Sequence, residues 1–125
     1  MSYIPPGAKW YLAEIVQEFK ISGEADNVLH TNLVLVRADS PEEAFHNAEM
    51  LGREGDAEYK NPEGRTVIAR YRGLHDLNVI HGDLEHGTEL IYDKRIGVSE
   101  DDLQRYLSCK EDLGVFKATD GLDGR

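Results

Sequence analysis

One ten-residue stretch, Val28–Arg37, sets the strongest limit on how this chain can fold. Its sequence, VLHTNLVLVR, is rich in the β-branched and aliphatic residues that favour strands. The centre of the stretch, from Leu33 to Val36, is apolar at four consecutive positions. Neighbouring side chains of a strand point to opposite faces. The pattern therefore predicts a strand buried on both faces, or one whose second face is covered by an oligomer.

The clearest local signal comes directly after this stretch. Ser40 and Glu43 have the spacing of a capping box, in which the serine hydroxyl accepts from the Glu43 backbone N–H and the Glu43 side chain reaches back. Pro41 suits the first position of a helix. We predict a helix from Pro41 to about Arg53, and its apolar face is expected to consist of Ala44, Phe45, Ala48 and Leu51.

Alternating apolar residues predict strands on both sides of this helix. Before it lies Trp10–Ile21, and after it lie Ala57–Lys60, Arg65–Arg72, Leu77–Ile80 and Thr88–Ile96. Asn61–Gly64 has the residue preferences of a type I turn. Gly73 is expected to end the strand that precedes it. A second, short helix is expected to begin at Ser99.

The predicted order of elements, β-β-α-β-β-β-β-α, is dominated by hairpins. It indicates an α+β fold, with a largely antiparallel sheet of four to six strands, one main helix packed on a face and a short C-terminal helix. A chain of 125 residues has the length of one domain. We expect a single α+β domain over residues 1–116 and a frayed tail over residues 117–125.

The charge balance argues against two classes of partner. The chain carries 24 acidic and 14 basic residues, a net charge of −10, and its basic residues are spread along the sequence. Phosphate backbones and anionic lipids repel such a chain, so we predict no nucleic-acid binding and no membrane binding. No targeting signal is recognisable at the start, which favours a cytoplasmic protein. The single cysteine, Cys109, forms no internal disulfide.

One loop contains side chains of the types that bind divalent metals. They are His81, Asp83, His86 and Glu89. Their spacing fits no standard metal motif, and acidic residues between glycines are also typical of a solvated loop. We find none of the familiar catalytic motifs, and we predict no catalytic residue and no cofactor.

A second group of side chains could bind an anionic ligand. Arg70 and Arg72 lie on one side of a predicted strand, where they could clamp a carboxylate or a phosphate. The competing interpretation is that they pair with acids of the chain, which would be Glu14, Glu18 or Glu58. Trp10 and Tyr59 could line a ligand pocket, or they could belong to the core or to an interface.

Several residues together resemble a known family. They are Trp10-Tyr11, the segment from Leu33 through Ser40-Pro41-Glu42-Glu43 to Ala44, the turn Tyr59-Lys60-Asn61-Pro62-Glu63-Gly64, and Gly87-Thr88-Glu89. The pattern resembles a small bacterial family catalogued as "domain of unknown function 4288". The resemblance covers Trp10 to Arg95 and rests on structural motifs. It implies a fold, and it implies no activity and no catalytic residues.

Three hypotheses of function follow. The favoured one is a non-catalytic binding or interaction module that self-associates as a homodimer or another homo-oligomer, because one good helix leaves an apolar sheet face to be covered. The second is a small-ligand or metal-binding protein, or an enzyme, that uses the loop 81–89 or the two arginines. The third is an acidic decoy of nucleic acid, which requires one contiguous acidic face.

Overall fold

A computed structural model describes residues 4–117, and the chain divides after Tyr92 into two compact units. The first unit contains four strands and one helix: β1 (Trp10–Ile21), β2 (Val28–Arg37), α1 (Pro41–Glu54), β3 (Ala57–Lys60) and β4 (Thr66–Val79). The strands form one antiparallel sheet in the order β2-β1-β4-β3. The predicted α+β fold, with an antiparallel sheet and one main helix, is confirmed.

The core lies between α1 and one face of the sheet. The helix buries a row of small residues, Ala44, Ala48 and Gly52, which are spaced four apart and therefore share a face. They pack against a sheet face that contains Tyr11, Ala13, Ile15 and Val36. The predicted apolar face was wrong in part, since Phe45 and Leu51 are 49% and 38% exposed. Small side chains allow close approach, so the helix turns them inward in place of the larger ones.

The predicted turn forms, and so does the predicted cap, except that the Glu43 side chain reaches back to Asp39, one residue before the N-cap Ser40. The Glu43 backbone N–H donates to Ser40 Oγ at 3.1 Å, and Glu43 Oε1 accepts from the Asp39 backbone N–H at 2.6 Å. In the turn between β3 and β4, the Gly64 N–H donates to the Asn61 carbonyl at 2.8 Å. These two local motifs fix where α1 begins and where the chain reverses between β3 and β4.

The predicted end of a strand at Gly73 is wrong, because β4 continues through it to Val79. The pairing of β4 with β1 shifts twice, which makes Arg72 and His75 extra residues on β4. Gly73 adopts a φ of +140°, a backbone conformation that other residues rarely adopt. The glycine therefore permits an irregular, bulged strand where a break was expected.

Two other strand predictions were wrong. Residues 88–96 form neither strand nor helix, because an alternating pattern gives a strand only where a neighbouring strand satisfies its backbone. The interpretation of β2 as buried on both faces also fails. The strand order places β2 at an edge of the sheet, and Leu33 and Leu35 are 60% and 43% exposed.

The second unit begins at Asp93 and contains α2 (Glu100–Tyr106), which confirms the predicted short C-terminal helix. Ser99 caps this helix, with its Oγ accepting from the Asp102 backbone N–H at 3.1 Å. Two 3₁₀ turns follow at Lys110–Asp112 and Gly114–Phe116. A single domain over residues 1–116 stays a prediction, and residues 118–125 of the expected frayed tail lie outside the described residues. Between residues 4 and 117, no helix is long and apolar enough to cross a membrane.

Candidate functional site

Three leucines of β2 form the candidate surface. β2 pairs with β1 from Trp10↔Arg37 to Phe19↔Val28 without any shift in register. Even-numbered residues of β2, such as Val36, therefore lie on the face that packs against α1, and odd-numbered residues lie on the opposite face. This second face carries Leu29, Leu33 and Leu35, named here the leucine stripe, which are 60%, 60% and 43% exposed.

The neighbouring strand gives the leucine stripe a border that changes from apolar to acidic. Leu12 of β1 lies opposite Leu35 and is only 4% exposed. Glu14 lies opposite Leu33, and Glu18 lies opposite Leu29. At the Leu35 end the exposed apolar surface is therefore confined to β2, because Leu12 beside it is buried, and towards the other end the stripe meets the carboxylates of Glu14 and Glu18.

Glu18 is held by two partners. Its Oε2 accepts from Asn27 Nδ2 at 2.5 Å, and its Oε1 lies 3.1 Å from Arg72 Nη1. The Asn27 hydrogen bond, assisted by the positive charges of Lys20 and Arg72, lowers the pKa of Glu18 below its usual range although burial opposes this shift. The predicted pairing of Arg72 with Glu18 is confirmed, so that guanidinium already has a carboxylate partner.

The four candidate ligand-binding residues do not converge. Arg70 lies opposite Glu18 in the β1–β4 register, and its Nη1 donates to the Ala69 carbonyl at 3.0 Å. Trp10 is eight residues from Glu18 on β1, or about 26 Å along the strand. Tyr59 lies opposite Val67 on the other face of the sheet, the face that packs against α1. These positions bring the arginines together and leave both aromatic rings apart from them.

The loop with the candidate metal ligands is held by Thr88. Thr88 Oγ1 accepts from the Glu85 backbone N–H at 3.0 Å and donates to the Asp83 carbonyl. His81, Asp83, His86 and Glu89 are all exposed. In the part of the chain from Ile4 to Lys117, no three His, Cys, Asp or Glu side chains are grouped so that they could hold a metal ion.

An open depression of about 390 Å³ lies beside the turn between β1 and β2. Polar residues line it, among them Glu18, Glu24 and Asn27. Glu24 is paired with Arg65 at 3.2 Å, as Glu18 is with Arg72. Two carboxylates that line the depression, those of Glu18 and Glu24, are therefore paired with arginines of the same chain. They are not available to bind a cationic ligand.

The sequence already marked Leu33 and Leu35 as part of an apolar strand centre with a face that an oligomer could cover, and it did not separate them from Val34 and Val36 on the α1 face. Residues 28–36 contain no Asp, Glu, Lys or Arg, which was the available signal. An uncharged strand suits either the centre of a sheet or an edge that a partner covers. Strand order distinguishes the two, and strand order depends on pairings distant in sequence.

The family described as "Domain of unknown function (DUF4288)" matches the chain over residues 10–92. The match runs from the first residue of β1 to the last residue of the first unit, about two-thirds of the chain. Comparison with curated proteins and with solved structures found no match. The resemblance expected from the sequence is confirmed, with an end at residue 92 where Arg95 was expected. The chain belongs to the DUF4288 family.

Proposed function

We propose that this chain is a non-catalytic binding module that associates with a second copy of itself through the leucine stripe of β2. The observation that carries the proposal is the exposure of Leu29, Leu33 and Leu35 in a row on one side of an edge strand. Thr31 lies between Leu29 and Leu33 on this face, and exposed apolar surface of this kind is typical of sites where proteins bind each other.

The energy of covering the stripe favours association. Burying the exposed part of one such leucine contributes about 1 kcal/mol, and this opposes an entropy cost of association of about 4–15 kcal/mol. The leucines alone do not offset that cost, so we expect the dimer to form only at high protein concentration.

The charge distribution supports a second copy as the partner. With a net charge of −10, two copies repel each other over most of their surfaces. The chain has 38 charged residues, 24 acidic and 14 basic, and none of them lies in residues 28–36. Two copies therefore meet with the least repulsion at β2. The polar surroundings of Arg70, Arg72 and the loop 81–89 give no comparable support for a ligand site.

Sedimentation velocity of the full chain tests this function. We expect a dimer for the unmodified chain and a monomer for the double variant Leu33→Lys/Leu35→Lys. The matched control is Phe45→Lys/Met50→Lys, which places the same two charges on apolar side chains of α1 that are 49% and 50% exposed. Each added lysine makes the acidic chain less negative and so weakens the repulsion between two copies. If the leucine double variant nevertheless loses the dimer, the cause is the loss of the leucine side chains and not the change in net charge. An unmodified chain that sediments as a monomer, or a leucine double variant that still dimerises, contradicts the proposal.

A further inference from the structure

We propose that the second copy binds by antiparallel pairing of β2 with β2, which joins the two four-stranded sheets into one sheet of eight strands. This inference rests on the proposed self-association and specifies its geometry. It differs from the alternative in which two sheets stack face to face and leave the backbone of β2 unpaired.

One backbone contact just beyond the end of β2 shows which of its residues form hydrogen bonds with β1 and which direct their backbone groups outward. The Ala38 backbone N–H donates to the Lys9 carbonyl at 2.9 Å, which makes this opposed pair a hydrogen-bonded one. Because such pairs alternate and the register is unbroken, even-numbered residues of β2 direct their N–H and C=O groups towards β1. The odd-numbered residues, from Leu29 to Arg37, direct theirs out of the sheet, where the Arg37 carbonyl already accepts from Asn47 Nδ2 at 3.0 Å.

This outward row lacks the features that usually protect an edge strand. Proteins block edges with short strands, charges, prolines or bulges. β2 has ten residues, an unbroken register and no proline, and Arg37 at its end is its one permanent charge. The opposite edge, β3, has only four residues, and Glu58 and Lys60 are two of them. One edge is therefore protected by length and charge, and the other is built to accept a strand.

Charge favours an identical strand in antiparallel orientation. β2 ends at Arg37, where the neighbouring Asp39 is already paired with Lys9 at 2.7 Å. At its other end lies the turn with Glu24 and Asp26, of which Glu24 is paired with Arg65. Antiparallel pairing brings the Arg37 end of each copy towards the Asp26 end of the other, whereas parallel pairing would bring like ends together.

The pairing with the most contacts is centred on Leu33. There, Leu33 lies beside the partner's Leu33 and Thr31 lies beside the partner's Leu35, so the outward groups of Thr31, Leu33 and Leu35 all find a strand opposite. Cross-strand contacts of aliphatic side chains stabilise a sheet. The leucine stripes of the two copies thus become one apolar band on the second face.

Proline at Thr31 tests the pairing. Thr31 has an outward N–H, so Thr31→Pro removes a donor to the partner and no donor to β1, and it leaves the leucine stripe intact. Thr31→Ala is the matched control, because it keeps the N–H. In sedimentation velocity we expect a monomer for Thr31→Pro and a dimer for Thr31→Ala. A folded Thr31→Pro chain that dimerises as well as Thr31→Ala overturns the edge pairing and leaves self-association standing.

Amide hydrogen exchange of the unmodified chain gives a second test that needs no variant. At a concentration where about nine chains in ten are paired, exchange at Thr31, Leu33 and Leu35 should slow about tenfold relative to dilute protein. Val34 and Val36, whose N–H groups face β1, serve as internal controls and should be protected at both concentrations. Fast exchange of the three outward amides in a dimer overturns the edge pairing. A chain that stays monomeric contradicts the proposed function as well.

Discussion

Gly52 of α1 lies directly against the ring of Tyr71 on β4: a Cβ atom built on the glycine would be 2.5 Å from Cε1 of that ring. The Tyr71 hydroxyl donates to Glu49 Oε2 at 3.4 Å, and the Arg53 guanidinium lies 5.5 Å from the ring centre. One tyrosine therefore contacts three residues on two successive turns of α1, Glu49 on one and Gly52 and Arg53 on the next. This contact fixes the position of the helix on the sheet, and it leaves the opposite face of β2 free of that helix.

Gly52→Ala is expected to destabilise the fold. The added methyl group overlaps the Tyr71 ring, and overpacking of this kind costs about 1–3 kcal/mol. Alanine's higher helix propensity offsets roughly 1 kcal/mol of that cost. The free energy of unfolding in urea measures the difference. Gly82→Ala is the control: its Cβ would lie 3.9 Å from Thr88 Cγ2, and its stability should stay within about 0.5 kcal/mol of the unmodified chain. A Gly52→Ala chain that is about 1 kcal/mol more stable than the unmodified chain, as helix propensity alone would make it, would contradict the tight contact.

Gly73→Ala tests a different cause of destabilisation. No atom lies within 4 Å of a Cβ at this position, so the expected loss of about 1–3 kcal/mol comes from the φ of +140°. Replacing Gly73 with D-alanine by semisynthesis is the matched control, because a D-residue adopts positive φ without strain. Urea unfolding should separate the two proteins. Equal stability of the L- and D-alanine forms would show that the backbone at Gly73 does not require positive φ.

Ser40→Ala should weaken the start of α1. The change removes the Oγ that accepts from the Glu43 N–H, which costs about 1 kcal/mol in typical N-cap positions. Ser40→Asp keeps an acceptor and places a negative charge at the positive end of the helix, so its stability should match that of the unmodified chain. Thermal unfolding followed by circular dichroism compares the three proteins. If the alanine and aspartate variants melt together, the cap does not stabilise the helix.

Alkaline pH should destabilise the contact between α1 and β4. Burial, followed by the nearby Glu49 carboxylate, raises the pKa of Tyr71 above its usual value. The folded state therefore favours the neutral phenol. Its contribution to stability is fully present below the unfolded-state pKa of about 10 and is lost as the pH rises through the folded-state pKa. We expect the free energy of unfolding to fall above pH 10 in the unmodified chain and to fall less steeply in Tyr71→Phe. Identical pH profiles would exclude Tyr71 as the source.

Local signals made most of the fold predictable from the sequence. The capping residues Ser40 and Pro41 mark the start of α1, and the turn at Asn61–Gly64 marks the hairpin of β3 and β4. Such motifs act over a few residues, so one sequence contains all the information that they need. The bounds of β1, β2 and β3 follow from the same kind of local pattern.

The errors arose where distant residues decide the outcome. A glycine such as Gly73 can either end a strand or form a β-bulge within it. Because β1 pairs with β4 on both sides of Gly73, the strand continues and the irregularity is a bulge. Phe45 and Leu51 fit the helical period, yet close approach to the Tyr71 ring turns Gly52 and the two alanines inward. The candidate surface depends on strand order in the same way, because β2 becomes an edge only when β4 occupies the other side of β1.

The molar mass of the full chain, measured by light scattering over a concentration series up to about 1 mM, tests the central claim most directly. We predict that the mass rises with concentration from that of one chain, 14.1 kDa, to twice that value. A mass that stays at 14.1 kDa at every concentration would contradict the account of β2 as the site where two copies bind.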